Sequence, residues 1–243
     1  MNHWIATDLD GTLFSRAWAA EDAIPATWRI EPGNGDRIPS SWMRPDTHLT
    51  MTALQRIATL VPVTARDAES FARVDIPGLP LPGPAVIANG SVILDSGGRP
   101  DPLWEAEMTS RLEPWQDWLK ECLGRLIERS CEHARPRLVH GPPGLPAYLV
   151  AKAETGWWES ESGREIRGTF DWAGCRIAIL GNELQVLPPG VGKRQALEEL
   201  MGRYFGGRRP MLCFGDMTAD LEFMRLGEIL ATPRQSALEV AWQ

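Results

Sequence analysis

Three short apolar runs, each ending abruptly in polar or acidic residues, constrain the fold of this 243-residue chain more than any other feature. His3 to Leu9 ends at Asp8 and Asp10, Leu60 to Val63 at Thr64-Ala65-Arg66-Asp67, and Met211 to Phe214 at Gly215-Asp216. Helical patterns lie between them, over Thr50 to Thr59 and Val191 to Tyr204. Alternating strands and helices predict an α/β domain built on a parallel sheet, because parallel strands need a crossover to join them. In open sheets of this kind ligands bind beyond the carboxyl ends of the strands. Asp8, Asp10, Thr64 and Asp216 are therefore expected on one rim, far apart though they lie in sequence.

The first run raises a chemical question. Trp4-Ile5-Ala6 leads into Asp8-Leu9-Asp10-Gly11-Thr12, which puts two like charges together at a chain bend. Such crowding costs free energy unless a cation or a reaction uses it. Asp and Gly also mark ordinary turns, so the pair alone decides nothing.

The middle of the chain reads differently. Ala85 to Leu94 is a strand interrupted at Asn89-Gly90. Leu112, Trp115, Leu119, Leu123 and Leu126 recur at helical spacing and predict one amphipathic helix from Glu107 to Ser130. Tyr148 to Ala151 and Gly174 to Leu187 read as strands, the second folded at a Gly181-Asn182 hairpin turn. A helix followed by antiparallel strands suits a separate α+β module inserted into the parallel domain. The expected division is a core of residues 1–90 and 188–243, with 91–187 as the insertion. Residues 16–46, rich in Pro, Gly and Trp, are expected to form a long loop or flap.

Composition narrows the function. A net charge of -7 argues against a nucleic-acid partner, which calls for a basic patch. No apolar run approaches membrane-spanning length, and no signal-peptide pattern precedes the first run. The four cysteines form no CxxC pair and no metal-like spacing with histidine, so a reduced, cytoplasmic protein is expected. Gly190-Val191-Gly192-Lys193 is not a nucleotide P-loop, since Leu187 and Arg194 occupy positions where that motif needs Gly and Ser or Thr.

Taken together, Asp8-Leu9-Asp10-Gly11-Thr12, Thr64, Lys193 and Gly215-Asp216-Met217-Thr218-Ala219-Asp220 resemble the four motifs of haloacid-dehalogenase-superfamily phosphatases. The inserted module resembles, in position and pattern, the type IIB (C2) cap of the Cof-type, sucrose-phosphate and mannosyl-3-phosphoglycerate phosphatases. The resemblance implies a Rossmann-like core with an inserted α+β cap, and a small phosphorylated metabolite, a phosphosugar or glycosyl phosphate, as substrate. It implies that Asp8 is the nucleophile that forms an aspartyl-phosphate, and that Asp10 protonates the leaving alcohol and then activates water. Mg2+ would lie among Asp8, the backbone carbonyl of Asp10, Asp216 and the phosphate. Thr64 would donate to a phosphate oxygen and Lys193 would supply charge beside Asp8. Gly11 and Thr12 belong to the same loop, and Asp220 would position Lys193 or metal-bound water. Ala219 stands where relatives often carry Asn, which removes one amide near the metal.

Other residues have weaker claims. Arg66 could face substrate or form a surface pair. Asn89, with Gly90, could shape the entrance or simply turn the chain. Trp157, Trp158 and Arg164 are candidates for selectivity in the cap, although core packing is the ordinary fate of tryptophan. Two rivals stand beside the hydrolase: a phosphotransferase or phosphomutase on the same scaffold, and a non-catalytic phosphometabolite-binding protein.

Overall fold

A computed structural model describes residues 3–142 and 144–242. The described chain forms two compact units, one of residues 1–101 and 193–243, the other of residues 102–192.

The first unit is built on a parallel sheet. Trp4–Thr7 lies at its centre between Leu212–Phe214 and Thr59–Pro62, and Ile229–Ala231 flanks Leu212–Phe214. A parallel bridge from Val63 to Val86 extends the sheet to Ala85–Ile87. All four residues of Trp4–Thr7 are buried. That is why Trp4-Ile5-Ala6 is apolar at every position rather than alternating: a central parallel strand is covered on both faces. Ile5, Leu9, Leu13, Phe14, Leu60 and Ile76 pack into one core cluster. On the other side Trp4 stacks on Phe205 with ring centroids 4.4 Å apart and donates Nε1–H to the Arg208 carbonyl. Phe205 ends the Lys193–Phe205 helix, so this contact ties that helix to the central strand.

Residues 16–46 are not a loop. Phe14–Ser15, Ile24–Ile30 and Arg37–Met43 form a three-stranded antiparallel sheet with Arg37–Met43 in the middle. Its outer strand pairs in turn with the chain around Val74, through Trp28 N to Arg73 O and Asp75 N to Ala26 O. Register shifts around Thr27 break the alternation that would have announced a strand. At that break the buried Thr27 and Ser41 hydroxyls hydrogen-bond at 2.6 Å.

Ala85–Ile87 and Val92–Leu94 form a hairpin around Asn89-Gly90. The segment that follows stays with the first unit as far as Asp101, beyond the border expected at residue 90. The buried Asp101 accepts from Tyr204 Oη at 2.6 Å and Arg203 at 3.2 Å.

The second unit is α+β. Its antiparallel sheet runs Arg176–Leu180, Glu183–Leu187, Pro146–Ala153, Ala134–His140. The single helix expected over 107–130 is two, Pro102–Leu112 and Gln116–Ser130, separated by a 3-10 turn at Glu113–Trp115. Pro114 explains the break, because it lacks an N–H and its ring clashes with the preceding turn. Leu119, Cys122 and Leu126 from the second helix pack on Leu149, Ala151, Leu184 and Val186 of the sheet. Trp158 belongs to this core: it is fully buried and donates Nε1–H to the Ala151 carbonyl. Trp157 packs edge-on against Trp158 and stacks on His133. Trp158 is therefore a packing residue rather than an exposed ring for a ligand.

Candidate active site

Asp8 follows the central strand directly, and its N–H donates to the Phe214 carbonyl at 2.9 Å, continuing the sheet ladder by one residue. That pairing places Asp8 beside the end of Leu212–Phe214, whose chain turns through Gly215 into Asp216. Asp8, Asp216 and Asp220 each present a carboxylate oxygen within 4.8 Å of one another. Two side chains knit the cluster. Lys193, the first residue of its helix, donates Nζ–H to Asp8 Oδ1 at 2.7 Å and to Asp220 Oδ1 at 2.8 Å. The buried Thr12 hydroxyl lies 3.3 Å from Asp8 Oδ2 and 3.1 Å from Asp216 Oδ1.

The glycines make this crowding possible. Gly11 has φ +85°, and a Cβ there would stand 2.2 Å from Asp216 Oδ2. At Gly215 a Cβ would lie 2.6 Å from both Asp220 Cβ and Met224 Sδ. Asp220 in turn accepts from the Met217 N–H, which fixes the turn between the two acids.

Thr64 stands at the end of the neighbouring strand. Val63 N–H donates to the Thr7 carbonyl and Thr64 N–H to the Val86 carbonyl, so Thr64 is held between two strands. Its buried hydroxyl accepts from Arg66 N–H at 3.2 Å, which leaves the hydroxyl hydrogen to serve as a donor. Asn89 is buried in the left-handed region, φ 52° and ψ 31°, a conformation that Asn tolerates well. Its N–H donates to the Thr64 carbonyl. Through its backbone, then, Asn89 supports the threonine loop.

Asp10 lies outside the acidic cluster. Its carboxylate forms a bidentate pair with Arg66, Nε to Oδ2 and Nη2 to Oδ1, both at 2.6 Å. The sequence left open whether Arg66 faces substrate or pairs at the surface; in this structure it pairs with Asp10.

No family model matches the sequence, and no curated protein matches it. Solved structures do. The sucrose-phosphatase of Synechocystis, determined with sucrose and phosphate, superposes over 100% of this chain and 87% of its own, with TM-score 0.59 and 17% identity. A haloacid dehalogenase-like hydrolase from Bacteroides thetaiotaomicron covers 98% of this chain and 96% of its own, with TM-score 0.54 and 13% identity. The C-terminal domain of trehalose-6-phosphate phosphatase from C. albicans covers 93% and 73%, with TM-score 0.56 and 13% identity. The chain has the haloacid-dehalogenase-like fold.

The electrostatics of this haloacid-dehalogenase-like core are lopsided. Three carboxylates face one ammonium in a buried cluster. Burial, opposed by Lys193 and reinforced by the Asp220 and Asp216 charges, pushes Asp8 up from 3.8 to about 8. Burial and then the Asp220 charge push Asp216 up to about 6, against the hydrogen bond from Thr12. Burial alone pulls the Lys193 ammonium down, but the Asp220 and Asp8 carboxylates outweigh it and hold the lysine protonated above its usual range. The excess negative charge and the all-oxygen donor set fit a hard divalent cation.

Sequence reasoning gave Asp220 a supporting place, and the structure puts its carboxylate inside the cluster on Lys193. The Asp-x-x-x-Asp spacing of 216 and 220 was visible in the sequence, but the turn at Met217–Asp220 that folds both acids to one side was not.

Proposed function

We propose that this protein is a Mg2+-dependent phosphomonoester hydrolase that works through an aspartyl-phosphate on Asp8. The observation that carries the reading is Asp8 itself. It is a nearly buried carboxylate at a strand end, clamped by Lys193 and faced by Asp216 and Asp220. A carboxylate in such a place is restrained, partly desolvated and beside a fixed positive charge, the conditions under which it becomes an effective nucleophile.

The chemistry then follows from the side chains. An Asp8 oxygen attacks phosphorus while the bond from phosphorus to the ester oxygen breaks, and Asp10 gives its proton to the departing alkoxide. In the second half Asp10 takes a proton from water as that water attacks the acyl-phosphate, which releases phosphate and restores Asp8. Lys193 neutralises charge near Asp8, and Asp220 keeps the lysine pointed there. Thr64 donates its hydroxyl hydrogen to a phosphate oxygen. Asp8, Asp216 and the backbone carbonyl of Asp10 would hold Mg2+, which, when bound, supplies charge neutralisation and orientation of the phosphate.

The substrate class we infer is a phosphorylated sugar. Its support is the likeness to structures whose names are sucrose-phosphatase and trehalose-6-phosphate phosphatase. In this reading the second unit is the cap, the cellular setting is cytoplasmic, and no nucleic acid or membrane is involved. Four free cysteines and a pI near 5.2 accord with that setting.

The test is a phosphate-release screen over phosphorylated sugars and other metabolites, run with Mg2+ and with excess chelator, beside the Asp8→Asn variant. Metal-dependent release that Asp8→Asn abolishes is expected. Equal release from Asp8→Asn would end the nucleophile assignment, and full activity in chelator would end the metal assignment.

A further inference from the structure

We infer that Arg66 is a positioning residue that holds the Asp10 carboxyl in place, and not a ligand of the substrate phosphate. The inference rests on the hydrolase reading above, in which Asp10 moves the proton.

Arg66 is engaged on several sides. Its Nε and Nη2 edge meets the two oxygens of Asp10 at 2.6 Å each. Its Nη1 donates to the Ser70 carbonyl at 2.9 Å, and its guanidinium lies 5.1 Å from the centre of the Phe14 ring. The backbone is tied down as well. Arg66 N–H donates to Thr64 Oγ1, and the Arg66 carbonyl accepts from Ala88 N–H at 2.6 Å. The side chain is 17% exposed, whereas that of Asp10 is 55% exposed.

The asymmetry is informative. A half-exposed aspartate next to a glycine would ordinarily sample several rotamers, and among the described residues the hydrogen bonds on its carboxylate come from Arg66. A planar guanidinium that grips both oxygens fixes the plane of the carboxyl as well as its position. General acid–base catalysis depends on that placement, because proton transfer needs the carboxyl within hydrogen-bond reach of the ester oxygen. Arg66 spends its bidentate edge on Asp10, so the planar grip that would suit a phosphate is already used.

The consequence is a dependence on the leaving group. An alkyl phosphate needs a proton on its departing oxygen, whereas p-nitrophenolate leaves nearly unaided. Arg66→Ala should therefore lower kcat/KM for a sugar or other alkyl phosphate by about a hundredfold, within the usual range for acid–base catalysis. For p-nitrophenyl phosphate the loss should stay below about tenfold, on the same grounds. Arg66→Lys keeps the charge without the paired geometry and should resemble Arg66→Ala in this ratio. The double variant Arg66→Ala/Asp10→Asn should be no worse than Asp10→Asn, because both changes remove one function.

Equal losses on the two substrates, or losses that multiply in the double variant, would overturn the inference and point to phosphate binding. Circular dichroism and melting curves check folding, and Arg66→Lys serves if Arg66→Ala does not fold. The two levels separate cleanly. If Asp8→Asn is dead and Asp10→Asn shows the leaving-group dependence while neither Arg66 variant does, the hydrolase reading stands and the Arg66 inference fails. An active Asp8→Asn or an inactive wild type overturns both.

Discussion

Gly11 and Asp216 approach so closely that a single methyl group on Gly11 would lie 2.2 Å from Asp216 Oδ2. The glycine also holds φ +85°, where an L side chain is strained. Gly11→Ala should push the Asp216 carboxylate away from Asp8 while leaving the sheet intact. The expected result is a weaker apparent affinity for Mg2+, by tenfold or more, with a loss of stability of about 1–3 kcal/mol. Mg2+ titration of activity, with isothermal calorimetry on the resting protein, measures the first; a denaturant curve measures the second. An unchanged metal affinity would show that Asp216 is not held by this contact.

Lys193→Ala removes the ammonium from between two buried carboxylates. Activity should fall by at least about a hundredfold, and the chelated protein should lose about 3–5 kcal/mol, the usual consequence of breaking a buried pair. Added Mg2+ should recover more of the stability than it does in the wild type, because the cation then meets a larger excess of negative charge. Melting curves with metal and with chelator read this out.

The cluster also predicts how stability varies with pH. Asp8 is raised from 3.8 to about 8 and Asp216 to about 6, so between the unfolded and folded values the folded chain binds more protons than the unfolded chain. Stability contributed by these groups is fully present below about 4 and is lost as pH rises through 6 and then 8. The chelated protein should therefore melt at progressively lower temperature from pH 5 to pH 9. Mg2+ favours the ionised carboxylates and should flatten or reverse that slope, most visibly near pH 8. Parallel slopes with and without metal would show that the cation binds elsewhere.

Asp10→Asn and Asp8→Asn should differ in kind. Asp8→Asn should leave less than about one percent of the activity, because an amide cannot form the acyl-phosphate. Asp10→Asn should slow turnover by about 10²–10⁴-fold while leaving Mg2+ affinity close to wild type, since its carboxylate stands outside the acidic cluster. Loss of metal binding in Asp10→Asn with rapid chemistry retained would reverse the two roles.

Much of the core could be read in advance because its signals are local. The apolar run at Trp4–Thr7 and its abrupt end at Asp8 need no tertiary information, and neither does the helix that begins at Lys193. The meeting of Asp8 and Asp216 followed from one rule about parallel sheets. What stayed hidden depends on partners distant in sequence. The three-stranded sheet over 14–43 is masked by its shifted register at Thr27 and by its Pro and Gly content. Ala134–His140 carries Arg135, Pro136 and Arg137 and reads as polar chain, yet it is an edge strand, where such residues are tolerated. The Arg66–Asp10 pair joins residues whose sequence separation is 56, and no spacing rule connects them.

The Lys193–Phe205 helix has a further consequence, for modularity. Asp101, after which the chain leaves the first unit, is gripped by Arg203 and Tyr204 near the end of that helix, and the chain returns at Lys193, its first residue. At 1.5 Å of rise per residue the departure and the return lie about 15 Å apart along one rigid rod. A bridge of roughly five extended residues spans that distance. Everything between Pro102 and Gly192 is thus a detour between two posts on one helix, which lets the intervening segment be exchanged, enlarged or shortened while both posts stay anchored to that helix.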